Sequence, residues 1–393
     1  MRIALIMSDN PYAPNGAAGY MKRLYENREL AARYGIDEVA FCHGGVSFTD
    51  PERYVMSFKG KAKQAVKRAL VKTRWGTRAA IKATSYRRGE NAIAMYDALQ
   101  SLPDVIVFND FATHDLFLQR HPDYDGLIIQ ILHGNGEFGR MMVLSMPKID
   151  PGWVKSIEEK IIADSDIIVH VGAKNKNLFD KLHPECVEKS VHIHTGISDM
   201  GQNSSERPGD TITFVCVGTI CDRKNQASLL EVAQDEGIRS RCRFVVVGGG
   251  PEYESCKARA ANLGLSEVVN YVGPSSRVVD YYRAADAFIS VSADEGLPTV
   301  ALEAMSCGLP LLLTDAGGCA ELINGNGVLI PTCDIPDIIA GIKKFLALFD
   351  AGKISGDASR GLYESRYTVE AMWREWAEFI CDRLAAKAGN ARG

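Results

Sequence analysis

The stretch Ala287-Phe-Ile-Ser-Val-Ser-Ala-Asp-Glu-Gly-Leu-Pro-Thr-Val-Ala-Leu-Glu-Ala-Met305 predicts a buried strand, a glycine turn and a helix. Residues 287–292 have the length and the apolar character of a strand inside a sheet. Gly296 breaks this strand, and Pro298 suits the first position of a helix that runs through Met305. A strand that leads directly into a helix is the repeating unit of an α/β fold.

Two carboxylates, Glu295 and Glu303, are separated by seven residues at the start of this helix. The amino terminus of a helix carries unpaired N–H groups and about half a positive charge, so a diphosphate can bind there without a metal. At ~1.5 Å of helical rise per residue the carboxylates lie roughly 12 Å apart, which suits opposite ends of one ligand. An isolated pair of this kind is more often two solvated side chains, and only the surrounding motifs favour a binding site.

The same alternation of short apolar runs and helical patterns extends along the whole chain. It predicts a parallel sheet covered by helices in each half, the architecture of two Rossmann-like, doubly wound domains that face a cleft. The predicted strands of the first half are residues 2–7, 37–42, 104–108, 126–132, 166–171 and 190–195. Those of the second half are residues 211–217, 243–247, 268–272, 287–292, 310–314 and 328–330.

Domain boundaries follow from composition. Residues 1–195 form the predicted first domain, residues 196–210 are a polar linker rich in Ser, Asn, Gly and Pro, and residues 211–368 form the second domain. The last segment, residues 369–393, begins with an amphipathic helix that we expect to pack onto the first domain. Its apolar face consists of Met372, Trp373, Trp376, Phe379 and Ile380.

The bulk composition excludes several classes of protein. A chain of 393 residues with 46% hydrophobic residues exceeds one ordinary core. Its ten cysteines include no C-x-x-C pair, and its histidines lack the spacing of a zinc site, so we expect reduced thiols and no structural metal. No apolar run approaches the ~20 residues of a membrane span, and the first residues are too few for a signal peptide. We therefore expect a cytoplasmic protein.

Four further loops of the second half follow predicted strands. Arg223 and Lys224, in Val217-Gly-Thr-Ile-Cys-Asp-Arg-Lys-Asn-Gln226, could neutralise a diphosphate, although cations at a helix start can also be merely solvated. The glycine turn of Val245-Val-Val-Gly-Gly-Gly-Pro-Glu252 lacks the spacing of a dinucleotide fingerprint. In Tyr271-Val-Gly-Pro274 the backbone could meet a nucleobase, or form a plain β-turn. In Thr314-Asp-Ala-Gly-Gly-Cys-Ala-Glu-Leu322 the glycines allow a ligand to approach the backbone.

These five motifs, in this order, closely resemble the nucleotide-sugar domain of retaining GT-B glycosyltransferases of family 4, the glycosyl transferases group 1. The resemblance spans roughly residues 214–331 and implies that Glu295 contacts the transferred sugar, Glu303 holds the ribose hydroxyls and Lys224 binds the diphosphate. Many members have Arg after the first glycine where this chain has Thr219, and Arg223 is the expected substitute. Further implied donor-binding residues are Gly218, Gly248, Val272, Gly296, Leu297, Pro298 and Thr299.

In the first half, two features match the family more loosely. Gly16 and Gly19 follow the first strand, where their backbone amides could approach a phosphate or an acceptor. His133 ends a strand beside Gly134 and resembles the active-site histidine that contacts the donor sugar. A single histidine is otherwise more often a structural residue.

The resemblance implies transfer of a hexose, with retention of configuration, from a nucleoside diphosphate sugar to a glycan or polyprenyl-linked saccharide, as in bacterial surface polysaccharide or glycolipid synthesis. A UDP-sugar is favoured over a GDP-sugar, and no cofactor or metal is required. Two alternatives are a sugar-nucleotide epimerase on the same fold and a catalytically silent subunit that binds nucleotide sugars. They are distinguished by the product formed without acceptor and by the effect of Glu295→Ala on turnover.

A basic segment interrupts the first half. Residues 53–89 contain twelve Lys and Arg and no Asp or Glu, in a chain with a net charge of −4. Apolar residues recur between the cations at helical spacing, so this segment either lies on an anionic membrane surface or forms a solvated helix face. Nucleic acid is not expected as a partner because aromatic residues are sparse among the cations.

Overall fold

The computed structural model describes residues 1–11, 16–45, 73–133, 139, 143, 146, 148–202 and 210–390. The chain divides into two compact units, one formed by Met1–His194 with Val369–Gly393 and the other by Thr195–Thr368. Each unit contains one six-stranded parallel sheet. The predicted α/β architecture is therefore confirmed, and all twelve predicted strands are present with small shifts at their ends.

The first unit consists of a parallel sheet with helices between its strands. Its strands are β1 (Arg2–Met7), β2 (Glu38–His43), β3 (Val105–Phe108), β4 (Leu127–Leu132), β5 (Ile167–His170) and β6 (Ser190–His192). The α-helices among its described residues up to β6 are α1 (Gly16–Glu26), α2 (Arg28–Ala31), α3 (Arg74–Ile81), α4 (Arg87–Asp97), α5 (Phe111–Arg120), α6 (Pro151–Asp164) and α7 (Ala173–Leu182). A π-helical turn, Lys82–Tyr86, joins α3 to α4.

The strand order of the first sheet is β2-β1-β3-β4-β5-β6, so the chain reverses direction across the sheet between β1 and β3. Ile3 and Leu5 of β1 belong to one hydrophobic core, whereas Ala4 and Ile6 belong to another on the opposite face. Because both faces are covered, the strand reads as a continuous apolar run. This burial explains why the strands could be recognised in the sequence.

The second unit repeats this plan. Its strands are β7 (Ile212–Val217), β8 (Cys242–Val247), β9 (Val269–Gly273), β10 (Ala287–Ser290), β11 (Leu311–Thr314) and β12 (Gly327–Ile330). Its helices are α8 (Ser228–Val232), α9 (Glu236–Arg241), α10 (Tyr253–Asn262), α11 (Val278–Ala284), α12 (Thr299–Ser306), α13 (Ile335–Asp350) and α14 (Gly356–Arg366). The order β12-β11-β10-β7-β8-β9 is that of a dinucleotide-binding Rossmann sheet, with its switch point between β7 and β10.

The last helix, α15 (Val369–Asn390), packs on the first unit. Met372, Trp373, Trp376 and Ile380 are buried in the core that also contains Ile3 and other residues of β1. The indole Nε1 of Trp376 donates a hydrogen bond of 2.8 Å to the hydroxyl of Tyr20 in α1. Apolar burial and this hydrogen bond together hold α15 against β1 and α1.

Part of the polar segment 196–210 is packed within the second unit. Ile197 is buried and its N–H donates to the carbonyl of Tyr367 at 2.9 Å. Asp199 accepts two hydrogen bonds of 2.6 Å from the guanidinium of Arg360. Residues 203–209 of the predicted linker lie outside the described residues.

All ten cysteines lie in the described part of the chain and are free thiols, and seven of them are buried. None of the helices described there combines the length and the apolar character that crossing a bilayer requires.

We predict that Trp376→Ala destabilises the first unit by about 3–5 kcal/mol, because it leaves a cavity in the core and removes the partner of Tyr20. Urea unfolding followed by far-UV circular dichroism measures the loss. Trp75→Ala is the matched control, since this side chain is 84% exposed and its removal should change the free energy of unfolding by less than about 0.5 kcal/mol. Equal effects of the two substitutions would show that α15 does not contribute to the stability of this core.

Candidate functional site

The switch point of the second sheet carries the charged residues singled out in the sequence. The loop after β7 contains the short 3-10 helix Asp222–Lys224, and the loop after β10 leads through Glu295 into α12. Because β7 and β10 are hydrogen-bonded neighbours, the two loops leave the same edge of the sheet in opposite directions. Open α/β sheets bind ligands at this position, beyond the carboxyl ends of the strands.

Glu295, Lys224 and Arg223 form an ion cluster at this point. The Glu295 carboxylate is only 6% exposed, and its Oε1 is paired with the Nζ atom of Lys224, itself 15% exposed. The guanidinium Nη1 of Arg223 lies 3.6 Å from Oε2 of Glu295. A buried carboxylate is tolerated only with such partners. The three groups sum to one positive charge, so the cluster as a whole attracts an anion.

Backbone contacts hold the two loops against each other. The Nη1 atom of Arg223 donates to the carbonyl of Asp294 at 2.6 Å, and the N–H of Ala293 donates to the carbonyl of Arg223 at 2.9 Å. Asn225 ends the 3-10 helix in the left-handed conformation, with φ of 55°, and its side chain donates to the carbonyl of Cys333 at 3.1 Å. The cations are therefore placed by main-chain geometry and not by side-chain packing alone.

Two glycines allow the loops to approach this closely. A Cβ atom at Gly248, whose φ is 148°, would lie 1.9 Å from the carbonyl oxygen of Gly218. A Cβ atom at Gly317, whose φ is 52°, would lie 1.8 Å from the carbonyl oxygen of Glu295. Any side chain at either position would push a neighbouring loop away, since real Cβ contacts of this length do not occur. Gly248 thus lets the ends of β7 and β8 pack closely at Gly218, and Gly317 packs against the backbone of Glu295.

Helix α12 begins one residue later than predicted. Pro298 is its N-cap, with φ of −73° and ψ of 99°, and Thr299 is the first helical residue. Glu295 therefore precedes the helix, and helical rise cannot be used to calculate its separation from Glu303 because residues 295–298 are not helical. Pro298 itself provides no side-chain acceptor for the first amides of α12, whose N–H groups carry the positive end of the helix dipole.

The residues between Glu295 and the helix have different surroundings. The Gly296 carbonyl accepts a hydrogen bond of 2.7 Å from the N–H of Gly318. The Leu297 side chain is buried in the core of the unit. Of the predicted donor-binding stretch, Leu297 thus contributes its side chain to the fold and can contribute only its backbone to a site.

Glu303, on α12, has a partner that sequence reasoning missed. Its Oε2 accepts a hydrogen bond of 2.8 Å from the hydroxyl of Tyr282 in α11. Nothing in the sequence indicated this contact, because Tyr282 occupies an ordinary core position of a helical pattern.

Val272 lies at an irregularity of the sheet. The register pairs Val246 with Tyr271 but Val247 with Gly273, so Val272 is opposite no residue of β8. A bulge of this kind takes the backbone of the extra residue out of the ladder. Val272 therefore lies on the edge strand β9 and takes no part in the regular pairing with β8. A ligand could reach its backbone groups, as the sequence predicts.

In the first unit, His133 lies directly after β4, the strand that pairs with β3. Its Nε2 is 2.6 Å from Oδ1 of Asn109, which follows β3. Its ring packs edge-on against Tyr20 at 5.6 Å. Desolvation and the nearby charge of Arg23 lower the pKa of His133 to about 3, so the imidazole is neutral at physiological pH. Asn109 was not predicted, although a polar residue directly after a buried strand is a signal that could have identified it.

The two glycines of the first unit lie on α1. Gly16 is its first residue, and Gly19 lies one turn further. A Cβ atom at Gly16 would meet nothing within 4 Å, whereas one at Gly19 would lie 3.2 Å from Nη1 of Arg23. Residues 12–15, which precede this helix, are outside the described residues. Among the described side chains, no group of three or more His, Cys, Asp or Glu is arranged to hold a metal ion.

Comparison with known proteins agrees with this site. Residues 200–351 match the family described as glycosyl transferases group 1. The chain is 41% identical to the O-antigen biosynthesis glycosyltransferase WbnH of Escherichia coli over 85 residues. These residues are 22% of this chain and 24% of WbnH. Over 263 residues it is 28% identical to the D-inositol 3-phosphate glycosyltransferase of Saccharomonospora viridis, covering 60% of this chain and 59% of that protein. The chain thus spans between about a quarter and three fifths of these curated relatives.

Solved structures extend the likeness in fold to the whole chain. The sucrose-phosphate synthase of Thermosynechococcus elongatus superposes with a TM-score of 0.73 at 18% identity, over 98% of this chain and all of the synthase. Anabaena HepE in complex with UDP-glucose superposes with a TM-score of 0.63 at 15% identity, over 98% of this chain and all of HepE. Since the identities are low, these likenesses establish the fold alone.

The motifs around the switch point lie within residues 200–351, the part of the chain that matches the family model. Residues 200–351 are thus similar to the glycosyl transferases group 1, within a chain that has the two-domain GT-B fold.

Proposed function

We propose that this protein is a retaining glycosyltransferase that transfers a hexose from a nucleoside diphosphate sugar to a glycan or lipid-linked saccharide. The observation that carries the proposal is the cluster of Glu295, Lys224 and Arg223 at the switch point of a domain similar to the glycosyl transferases group 1. A cluster with one net positive charge, next to the amino terminus of α12, suits a diphosphate. The family 4 assignment and the retaining outcome rest on the resemblance of the motifs.

We propose the donor contacts from the resemblance of the motifs to the family. Lys224 and Arg223 bind the diphosphate, together with the backbone amides at the start of α12. Glu295 contacts the transferred sugar, Glu303 holds the ribose hydroxyls and the backbone at Val272 meets the base. Cations and amides supply the charge that the diphosphate requires, so we propose that no metal takes part.

The proposed reaction replaces one bond at the anomeric carbon on a single face of the sugar. The bond from this carbon to the leaving phosphate oxygen breaks as the bond to the acceptor oxygen forms, and the acceptor proton passes to the leaving phosphate. Lys224 and Arg223 stabilise the negative charge that develops on the diphosphate, in positions held before the reaction begins. His133, neutral and oriented by Asn109, is proposed from the family resemblance to contact the donor sugar as a hydrogen-bonding group.

The relatives support the substrate classes. WbnH is named for O-antigen biosynthesis, which supports a growing surface glycan as the acceptor. HepE, which shares the fold, binds UDP-glucose in its crystal structure. We propose a UDP-sugar as the donor, and a GDP-sugar is the alternative to be tested. No contact in the described residues favours an epimerase or a silent subunit over transfer.

A panel of nucleotide sugars and nucleoside diphosphates tests the donor by thermal shift. A ligand at about 100 times its dissociation constant adds ~2.7 kcal/mol of stability. For a domain of this size the unfolding midpoint then rises by roughly 5–10 °C. We expect UDP and a UDP-hexose to give this rise without added metal, and with EDTA present.

The same panel can contradict the proposal. If no nucleoside diphosphate or nucleotide sugar raises the midpoint, the donor site does not exist. If the stabilising nucleotide sugar is converted to an epimer without acceptor, the protein is an isomerase and not a transferase.

We predict that Lys224→Met lowers kcat for release of nucleoside diphosphate from the donor by about 100-fold or more, because the leaving group loses the cation that neutralises it. Lys343→Met is the matched control in the same unit, since Lys343 is half exposed and pairs with Asp235 away from the switch point. Its kcat should stay within about twofold of the wild type. A Lys224→Met variant that folds, as judged by circular dichroism, and retains the wild-type kcat would remove Lys224 from the reaction.

We also propose that the basic segment 53–89 binds an anionic membrane surface and brings the enzyme to a lipid-linked acceptor. Residues 53–72 lie outside the described residues. In the described part, Arg74, Arg78 and Lys82 recur every four residues along an exposed face, and the neighbouring Trp75 is 84% exposed. A large aromatic side chain among cations is suited to the interface of a bilayer.

Cosedimentation with vesicles tests this proposal. We expect binding to vesicles with phosphatidylglycerol at low salt, weaker binding at high salt and none to purely zwitterionic vesicles. Trp75→Ala should weaken the binding several-fold. Leu102→Ala, a substitution of another exposed apolar residue of the first unit, should leave it unchanged. Absence of binding at low salt would leave the basic segment as a solvated surface.

A further inference from the structure

Tyr282 contacts Glu303 of α12 and is completely buried. It belongs to α11, which precedes β10, and its ring packs near Phe288 of that strand. Its hydroxyl oxygen is 2.8 Å from Oε2 of Glu303 and 3.1 Å from the carbonyl oxygen of Val300. The phenol thus reaches two acceptors on the same helix.

A phenol has one proton to donate, so the two acceptors compete for it. The bond to the carboxylate is shorter, and bonds to charged acceptors are the stronger ones. Burial and the charge of Glu303 both raise the pKa of Tyr282 well above its ordinary value. The hydroxyl therefore remains a donor at every pH at which the protein would be studied.

Glu303 itself is neither buried nor fully exposed. Its side chain reaches from the surface of α12 toward the buried phenol, which holds one carboxylate oxygen. A glutamate has several rotatable bonds, and ordering such a side chain costs up to about 2 kcal/mol. A fixed buried donor selects one conformation before any ligand arrives, and this lowers the cost of binding.

We infer that Tyr282 is a positioning residue that orients Glu303 for recognition of the two ribose hydroxyls of the nucleotide. The inference rests on the proposed function, because it needs a nucleotide beside α12. Tyr282 acts through Glu303 and touches no substrate. Its contribution should consequently appear only with ligands that carry the hydroxyls.

The test combines two variants with two ligands. Tyr282→Phe removes the hydroxyl and keeps the ring in the core. Tyr363→Phe is the matched control, because Tyr363 is buried in the same core and donates its hydroxyl to the carbonyl of Ile197, which is not part of α12. Isothermal titration measures the dissociation constants of UDP and of 2′,3′-dideoxyuridine diphosphate, or of the guanosine pair if the thermal panel selects it.

We expect Tyr282→Phe to weaken UDP binding about fivefold, the effect of one hydrogen bond, and to leave binding of the dideoxy ligand within about twofold. Tyr363→Phe should change neither constant. With the donor sugar, Tyr282→Phe should raise KM and leave kcat within about twofold, since the ribose is bound equally in the ground and transition states. In a Glu303→Ala background, Tyr282→Phe should have no further effect on UDP binding.

Three results would overturn the inference. They are equal loss of affinity for both ligands, no loss for either, and an undiminished effect of Tyr282→Phe in the Glu303→Ala background. If Tyr282→Phe does not fold, the Glu303→Ala variant still decides, because unchanged discrimination between UDP and its dideoxy analogue would exclude Glu303 from ribose recognition. A wild-type protein that binds no nucleotide at all would instead refute the proposed function.

Discussion

The buried carboxylate of Glu295 is the constraint around which the second unit is built. A charge that is 6% exposed costs several kcal/mol of desolvation unless it is paired, and its partner Lys224 lies 71 residues earlier in the chain, next to Arg223. Only the pairing of β7 with β10 brings the two segments together. Once they meet, two cations and one carboxylate leave a surplus of positive charge at the place where a parallel sheet opens toward a ligand.

The remainder of the site makes this cluster rigid. Main-chain hydrogen bonds join the Arg223 turn to residues 293 and 294. Gly248 and Gly317 permit backbone contacts that no other residue would allow. Tyr282 holds Glu303 from within the core. Groups fixed in this way stabilise charge without reorganising during a reaction, which is the main advantage that a protein has over water.

Much of this could be predicted from the residues in order, and the failures have physical causes. The strands were recognisable because both faces of each sheet are covered, which leaves continuous apolar runs. The start of α12 was misplaced because Pro298 suits both the N-cap and the first helical position, and the contacts of Gly317 and Gly318 with residues 295 and 296 arise only in the tertiary structure. The partners of Glu303 and His133, Tyr282 and Asn109, come from elements distant in sequence, and no local pattern indicates such pairs.

The sequence by itself determined the two α/β halves, the order of the motifs and the residue types that can bind a diphosphate. These properties follow from local periodicity, turn residues and charge, which neighbouring residues specify. Tertiary structure alone decided that Lys224 and Arg223 meet Glu295, that Tyr282 holds Glu303 and that Val272 leaves the ladder of β9. Each of these depends on which strands and helices become neighbours, and that is settled by the packing of the whole sheet and not by any single segment.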